Sequence, residues 1–242
     1  MMNIIILMAG SNQTYSEAGY FYPKTLVEVN GAPMIEAVVN NINPLFDYAK
    51  EITFVIRRDD DKKFHIGKIV NLLVPKANVV IVEEQNAGAA CSALLAIDHI
   101  NEKEPLLILN GDQILDIDFN KMLKTFSKKD WDGGLVVFKA VHPRWSYVRC
   151  NQNGWVEEAA EKRPISDRAT AGVCYFRHGK DFIESAMSSI EKEASIDGVF
   201  FIVPIYNEMV LKQKKIGVFQ IDSKQYHSMM TPQLLENYEN QL

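Results

Sequence analysis

The feature that most constrains the fold is an uninterrupted apolar run close to the start of the chain. Residues 4–8 read Ile-Ile-Ile-Leu-Met and lead into Ala9-Gly10. Such a run is typical of a strand that is covered on both faces. A polar loop, 11–22, follows and ends at Pro23-Lys24. A buried strand that stops at a small-residue turn and then presents one lysine favours binding of a triphosphate.

Apolar runs of the same kind recur along the first half and alternate with segments of helical spacing. Strands are predicted at 4–8, 52–57, 78–82 and 105–110, and helices at 34–45, 64–73 and 87–97. This alternation predicts a doubly wound sheet with right-handed crossovers. The expected fold class is therefore α/β, a Rossmann-like three-layer αβα sandwich around a mostly parallel mixed sheet.

The second half is more mixed and contains shorter strands. Strands are expected at 134–140, 146–150, 155–161, 170–176 and 216–221, with helices at 182–191 and up to 215. No Pro/Gly/Ser linker and no low-complexity run divides the chain. We therefore expect one domain over 1–242, with a nucleotide-binding half at 1–114 and an acceptor-binding half at 115–242.

Composition excludes several classes of function. A net charge of −5 over 242 residues predicts no general attraction to nucleic acid or to an anionic membrane surface. Three cysteines, Cys91, Cys150 and Cys174, are far apart and match no metal or disulfide spacing, which favours a reducing cytoplasm. The first apolar run is too short for a membrane span and lacks the basic flank of a signal peptide.

Polar or small residues follow three of the predicted strands directly. They are Met8-Ala9-Gly10, Glu83-Glu84-Gln85 and Gly111-Asp112. Carboxyl ends of parallel strands meet at one edge of a sheet, where ligands bind in this fold class. These three loops are therefore expected to converge on one crevice.

Further motifs extend the pattern over almost the whole chain. In order they are Leu7-Met8-Ala9-Gly10, Gly19 to Leu26, Asn30-Gly31-Ala32-Pro33-Met34-Ile35, Gly88-Ala89-Ala90, Asn110-Gly111-Asp112-Gln113, Glu161-Lys162, Thr170-Ala171-Gly172 and Thr231-Pro232. Together they resemble the nucleotidyltransferases that join a nucleoside triphosphate to a sugar 1-phosphate and release pyrophosphate. Choline-phosphate cytidylyltransferases of bacterial cell walls are near relatives of the group that the chain resembles.

The resemblance implies two catalytic residues and a Mg²⁺ cofactor. Lys24 would place a point charge near the α-phosphate or the attacking phosphate, and Asp112 would hold Mg²⁺. The alternatives are a solvated lysine and an aspartate that caps the next turn. The family's second carboxylate has no counterpart at its usual place, and Asp222 is the nearest substitute.

The remaining site residues divide between donor and acceptor. Nucleotide contacts are expected from Met8, Ala9, Gly10, Gln85, Gly88 and Gly111, and acceptor contacts from Glu161, Lys162 and Gly172. Gly88 alternatively caps a helix, and the Glu-Lys pair alternatively faces solvent. The expected partners are CTP, UTP or dTTP and a small phosphorylated acceptor, with no nucleic acid and no membrane. A homodimer is among the assemblies that the resemblance allows.

Four positions depart from the family's pattern. Asn12 stands at its second loop glycine, Thr14 at its arginine, Val199 at a glutamate and Met230 at a glycine. Asn tolerates left-handed backbone, so the turn is expected to survive, whereas Thr14 cannot replace the charge. Either the phosphate contacts are rearranged for an unusual acceptor, or catalysis is weakened while binding is retained.

The sequence therefore favours transfer of a nucleoside monophosphate to a sugar 1-phosphate, supplying a surface polysaccharide such as a capsule. A cytidylyltransferase for a phosphorylated non-sugar acceptor is a second reading. A catalytically weak nucleotide- or sugar-binding protein is a third. A glycosyltransferase is a fourth, because Asp116-Ile117-Asp118 resembles the Asp-x-Asp of metal-dependent glycosyltransferases.

Overall fold

The computed structural model describes residues 1–83, 87–128 and 130–241. Its strands are β1 (Met2–Met8), β2 (Glu28–Val29), β3 (Ala32–Pro33), β4 (Ala49–Arg57), β5 (Asn78–Val82), β6 (Leu106–Asn110), β7 (Gln113–Leu115), β8 (Gly133–Lys139), β9 (Ser146–Cys150), β10 (Val156–Glu161), β11 (Arg168–Phe176), β12 (Ile216–Gln220) and β13 (Tyr226–Ser228). Its helices are α1 (Gln13–Glu17), α2 (Met34–Ile42), α3 (Arg58–Phe64), α4 (Ile66–Leu73), α5 (Ala89–Leu94), α6 (Phe119–Phe126), α7 (Gly179–Glu191), α8 (Ile202–Leu211) and α9 (Pro232–Glu239). None of these helices is long and apolar enough to cross a membrane.

A nine-stranded mixed sheet runs through the molecule in the order β10-β9-β11-β6-β1-β4-β5, with β8 between β11 and β12. Strands β6, β1, β4 and β5 are parallel, as their apolar runs predict. Strand β11 joins the second half to this parallel core by running antiparallel to both β6 and β8. The carboxyl ends of β1 and β6 therefore lie side by side.

Side chains alternate between two apolar cores, one on each face of the sheet. In β1, Ile4, Ile6 and Met8 pack into one core and Ile5 into the other. Helices α2, α4 and α6 cover the first face, and α5, α7 and α8 cover the second. The predicted three-layer αβα sandwich is confirmed.

The predicted helix at 64–73 is wrong in one respect. His65 has a left-handed φ of 56° and separates α3, which ends at Phe64, from α4, which begins at Ile66, so the helix begins two residues later than predicted. The helix predicted at 34–45 ends at Ile42, and a 3₁₀ segment with Pro44 in its first turn continues the chain. A proline lacks the backbone N–H that an α-helix interior requires.

Several elements have no counterpart in the sequence-based prediction, and one pair of them shapes the site. Strand β13 pairs with β7 just after Asp112, and the Met229 amide donates to the Asp112 carbonyl at 2.8 Å. The polar loop contains the short helix α1, whose Tyr15 hydroxyl donates to the Met229 carbonyl at 2.7 Å. The segment near 229 is thus held against the carboxyl ends of the parallel strands.

Candidate active site

A cleft of about 700 Å³ opens at the carboxyl ends of β1, β4 and β6. Most of the predicted site residues line it: Met8, Ala9, Gly10, Lys24, Gly88, Gly111, Asp112, Glu161 and Gly172. The cleft follows from topology, because parallel strands end at the same edge of the sheet. Gln85, also predicted to bind the nucleotide, lies outside the described residues.

Lys24 and Asp112 form an ion pair at the wall of the cleft. Lys24 Nζ lies 2.6 Å from Asp112 Oδ2, and the two side chains are 8% and 20% exposed. Pro23 has an extended backbone and opens the 3₁₀ turn Lys24–Leu26, and Asp112 follows β6 two residues after its last residue. A lysine and a carboxylate that neutralise each other here can each turn to a phosphate or a cation when one is bound.

The charge of Asp112 affects the pKa of two tyrosines, the buried Tyr15 and the half-buried Tyr226. Burial first, and then the negative charge of Asp112, raises the pKa of Tyr15 and the pKa of Tyr226. Tyr226 also lines the cleft. Both phenols therefore stay protonated at neutral pH and keep their hydrogen-bond donors.

Asn12 acts through side-chain hydrogen bonds and not through the left-handed turn that the sequence predicts. Its φ is −93°, so the expected left-handed turn is not present. Instead, Asn12 Nδ2 donates to both carboxylate oxygens of Asp60, at 2.9 and 3.0 Å. Asn12 Oδ1 accepts a hydrogen bond from the Lys24 amide at 3.0 Å. The asparagine thus ties the polar loop 11–22 to both Lys24 and helix α3.

Thr14 and Met230, two of the departures from the family's pattern, meet in the structure. Thr14 Oγ1 donates to the Met230 carbonyl at 3.4 Å, and both residues line the cleft. Thr14, which stands where the family has an arginine, thus contacts Met230, which stands where the family has a glycine. Among the described residues that line the cleft, the cationic side chains are those of Lys24, Arg57 and Arg144.

Gly88 closes the cleft on the side of α5, where it is the N-cap. Its φ is +113°, and a Cβ there would lie 2.5 Å from the Phe200 carbonyl oxygen and 2.7 Å from Val199 Cγ1. Phe200 also bonds to both sides of Gly88, donating to Ala87 and accepting from Ala90. Only glycine fits between these backbones.

Gly88→Ala is expected to lower the free energy of unfolding by about 2–5 kcal/mol, because backbone strain and steric overlap add. Denaturant unfolding measures this loss. Gly154→Ala is the matched control, since Gly154 has a φ of +82° and no atom within 4 Å of its Cβ. The control is expected to lose about 1 kcal/mol, from strain alone. Equal losses in the two variants would contradict the steric argument.

A half-buried carboxylate, Glu161, lies in the cleft at a position where the resemblance predicts contacts to the acceptor. Glu161 accepts a hydrogen bond from the Ser146 hydroxyl, and both residues line the cleft. Burial raises the pKa of Glu161, while the Ser146 bond and the nearby Lys162 charge oppose the rise. A carboxylate in this state is an acceptor for hydroxyl groups of a bound molecule.

Glu161→Gln is expected to raise the melting temperature at neutral pH and to leave it unchanged below pH 4.5, the ordinary glutamate value. Because the pKa is raised in the native state, the unfolded chain releases the proton first, and stability falls as pH rises through the native pKa. The amide carries no such cost. Thermal unfolding across pH tests this, with Glu157→Gln as control, since Glu157 is exposed and pairs with Arg149. A lower melting temperature for Glu161→Gln at neutral pH would contradict the assignment.

Two residues predicted to bind the acceptor, Lys162 and Gly172, are placed differently from expectation. Lys162 is not among the described residues that line the cleft, and its Nζ lies 5.4 Å from the ring centroid of Phe201. Gly172 lines the cleft, but its close approach is to side chains: a Cβ would lie 2.3 Å from Gln113 Oε1 and 2.5 Å from Asn110 Nδ2. Packing inside the protein, rather than a bound acceptor, is enough to require this glycine.

Known proteins place the chain in a family. A family model described as nucleotidyl transferase matches residues 4–217. The chain belongs to this family. It is 24% identical over 217 residues to the bifunctional protein GlmU of Methanococcus aeolicus, covering 82% of this chain and 49% of that protein. It is 33% identical over 111 residues to the glucose-1-phosphate adenylyltransferase of Mycoplasma mobile, covering 42% and 29%. The chain thus spans half or less of the length of these relatives.

A solved structure with the same fold is that of a nucleoside-diphosphate-sugar pyrophosphorylase from Vibrio cholerae. The TM-score is 0.85 at 22% identity, over 98% of this chain and 99% of that one. The chain therefore shares its fold with that structure.

Asp222, the predicted second metal ligand, is not placed beside Asp112 in the cleft and caps a turn instead. Its Oδ1 accepts from the Lys224 amide at 2.9 Å, and its side chain caps the 3₁₀ turn Ser223–Gln225. It is not among the described residues that line the cleft. The choice failed because nearness in sequence to the expected position does not determine where a side chain points.

The two aspartates of the Asp-x-Asp segment, Asp116 and Asp118, make hydrogen bonds away from the cleft. Asp116 Oδ2 lies 2.8 Å from His227 Nε2, and Asp118 caps helix α6 through the Lys121 amide at 3.0 Å. Neither lines the cleft within the described part of the chain. These contacts favour a structural role over the metal site of a glycosyltransferase.

Sequence reasoning missed Arg57, Asp60 and Arg144. Arg57 is the last residue of β4 and is only 8% exposed. The sequence could have pointed to Arg57, because this residue stands at the carboxyl end of a predicted parallel strand, where ligands bind in this fold class. Arg144 precedes β9 in a loop, and no local pattern marks it.

Proposed function

We propose that this protein transfers a nucleoside monophosphate from a nucleoside triphosphate to a sugar 1-phosphate and releases pyrophosphate. The observation that carries the proposal is the Lys24–Asp112 pair at 2.6 Å in the cleft, beside the turn of Ala9-Gly10. Membership of the nucleotidyl transferase family and the sugar-phosphate enzymes among its relatives support it.

In the proposed reaction the acceptor attacks the nucleoside triphosphate directly, so the protein forms no covalent bond to either substrate. An oxygen of the acceptor phosphate forms a bond to the α-phosphorus, the bond from that phosphorus to the bridging oxygen breaks, and pyrophosphate leaves with the electron pair. Negative charge grows on the oxygens around the α-phosphorus, and a positioned cation lowers the barrier. Lys24, whose ammonium is nearly buried, supplies that cation when it turns from Asp112 to the phosphate.

The residues present fit a Mg²⁺ ion. Mg²⁺ is commonly bound by one or two carboxylates, with water and substrate phosphates as the other ligands. Asp112 supplies the carboxylate, and the described residues hold no cluster of three metal-binding side chains that would indicate a different metal centre. When bound, Mg²⁺ would neutralise phosphate charge and orient the reacting oxygens.

The acceptor binds, in this proposal, at the end of the cleft that holds Glu161 and Ser146. Their carboxylate and hydroxyl offer hydrogen bonds to sugar hydroxyls, and Trp145 offers an apolar face for a sugar ring. Val199 also lines this cleft and can make no such polar contact. Fewer polar contacts favour an acceptor with fewer hydroxyl groups. A phosphorylated non-sugar molecule is therefore a second candidate acceptor.

Pyrophosphate release with each nucleoside triphosphate, Mg²⁺ and a panel of phosphorylated acceptors tests the proposal. Release with a sugar 1-phosphate supports it, and release with only a non-sugar acceptor redirects it to a cytidylyltransferase-like activity. Saturable nucleotide binding without any release would establish a binding protein instead. Nucleotide-sugar turnover without pyrophosphate would contradict the proposal altogether.

CTP, UTP and dTTP are the donors we put forward. The cellular setting we propose is the cytoplasm, supported by three cysteines that are all free thiols. The activated product would supply a surface polysaccharide. A product analysis by mass spectrometry identifies both base and acceptor in one measurement.

A further inference from the structure

The triphosphate end of the cleft needs more positive charge than Lys24 and a Mg²⁺ ion would supply. A triphosphate carries several negative charges, and Lys24 is placed for the α-phosphate. Thr14, at the family's arginine position, has no charge and instead bonds to the Met230 carbonyl. Arg144 is exposed and stacks on Trp145, its guanidinium carbon 5.5 Å from the ring centroid. Trp145 lies at the acceptor end, so Arg144 is placed for that end.

Arg57 lies at the right place in the sheet to supply this charge. Strand β4 runs parallel to β1 with Met8 opposite Ile56. Arg57 therefore stands level with Ala9, which leads into the polar loop 11–22. Both Ala9 and Arg57 line the cleft. A guanidinium presents several N–H donors in one plane, which suits the oxygens of a polyphosphate.

A chain of contacts holds Arg57 and the polar loop 11–22 together. Arg57 Nε lies 3.6 Å from Asp60 Oδ2, and Asp60 also accepts both hydrogen bonds from the Asn12 side chain. Asn12 in turn accepts from the Lys24 amide. Arg57 and Asp60 are 8% and 9% exposed, so this network is set in place before any ligand binds. A cation held in advance loses little freedom on binding.

We infer that Arg57 is the second cation of the triphosphate site and contacts the β- and γ-phosphates in place of an arginine at position 14. Asp60 and Asn12 are the positioning residues that orient it. The inference rests on the proposed function, because it assumes that a nucleoside triphosphate is the donor. It also explains why Asn12 replaces glycine: the amide links Asp60 to Lys24.

Calorimetric titration of Arg57→Gln with CTP, UTP and dTTP, and with their monophosphates, tests the inference. Triphosphate affinity is expected to fall about 10- to 100-fold, because a hydrogen-bonded charge pair is lost. Monophosphate affinity is expected to change less than about twofold, since the β- and γ-phosphates are absent. Arg58→Gln is the matched control: it removes the same charge one residue later, where Arg58 pairs with Glu83 and is 42% exposed. The control is expected to bind both ligands as the wild type does.

A second variant separates charge from structure. Adding Thr14→Arg to Arg57→Gln returns a cation at the family's position and is expected to recover most of the lost triphosphate affinity. If Arg57→Gln folds poorly, Arg57→Lys takes its place, with a smaller loss expected for the triphosphate and none for the monophosphate. Equal losses for triphosphate and monophosphate in either variant, or no loss in either, overturn the inference. Absence of triphosphate binding by the wild type would instead overturn the proposed function.

Discussion

Asp112→Asn is expected to reduce pyrophosphate release by about 10³-fold or more, because the neutral amide neither holds Mg²⁺ firmly nor pairs with Lys24. Asp112 Oδ2 lies 2.6 Å from Lys24 Nζ, so the change affects both the metal and the lysine. Initial rates across a Mg²⁺ titration measure the effect. The variant is expected to need far more Mg²⁺ for half-maximal activity than the wild type.

The control for this variant is Asp116→Asn. Asp116 is also an aspartate in a pair, with His227 at 2.8 Å, and it lies outside the cleft as far as the chain is described. Its activity and Mg²⁺ requirement are expected to match those of the wild type. An Asp112→Asn protein that keeps the wild-type rate at the wild-type Mg²⁺ requirement would remove Asp112 from the mechanism.

Lys24→Met is expected to lower kcat by about 10²- to 10³-fold, the usual effect of removing one group that stabilises charge in the transition state. The affinity for the nucleoside triphosphate is expected to fall much less, because Lys24 acts at the α-phosphate, where the charge changes during the reaction. Steady-state kinetics with varied triphosphate separate these two effects. Methionine keeps most of the side-chain length, which preserves packing.

Lys50→Met gives the comparison for the loss of a paired lysine. Lys50 Nζ lies 2.8 Å from Glu104 Oε1, and Lys50 is not among the described residues of the cleft. Its kcat is expected to equal that of the wild type. A Lys24→Met protein that loses triphosphate affinity and keeps kcat would make Lys24 a binding residue and not a catalytic one.

The parallel strands of the first half could be predicted from the sequence because their signals are local. Continuous apolar runs mark β1, β4, β5 and β6, and parallel strands of this kind require helices on both faces. Shorter elements have weaker signals. Strands β7 and β13 have three residues each, too few for an alternation to be visible.

Site residues divide in the same way. Gly10 and Asp112 follow strand ends, and Lys24 follows Pro23 in a motif, so each has a local signal and each lines the cleft. Asp222 was chosen by its place in the chain alone, and the structure shows it capping a turn. Lys162 was chosen by a motif, but a left-handed φ of 52° turns the chain there, and its ammonium packs on Phe201.

The sequence by itself determined the parallel strands of the sheet and the edge at which the cleft opens, because strand ends are encoded by local patterns. Only the tertiary structure decided that Lys24 pairs with Asp112 and which contacts the departures from the family's pattern make. Asn12 meets Asp60 across 48 positions and Thr14 meets Met230 across 216. Such contacts depend on how packed elements bring distant side chains together, and no spacing within either segment records the distance between them.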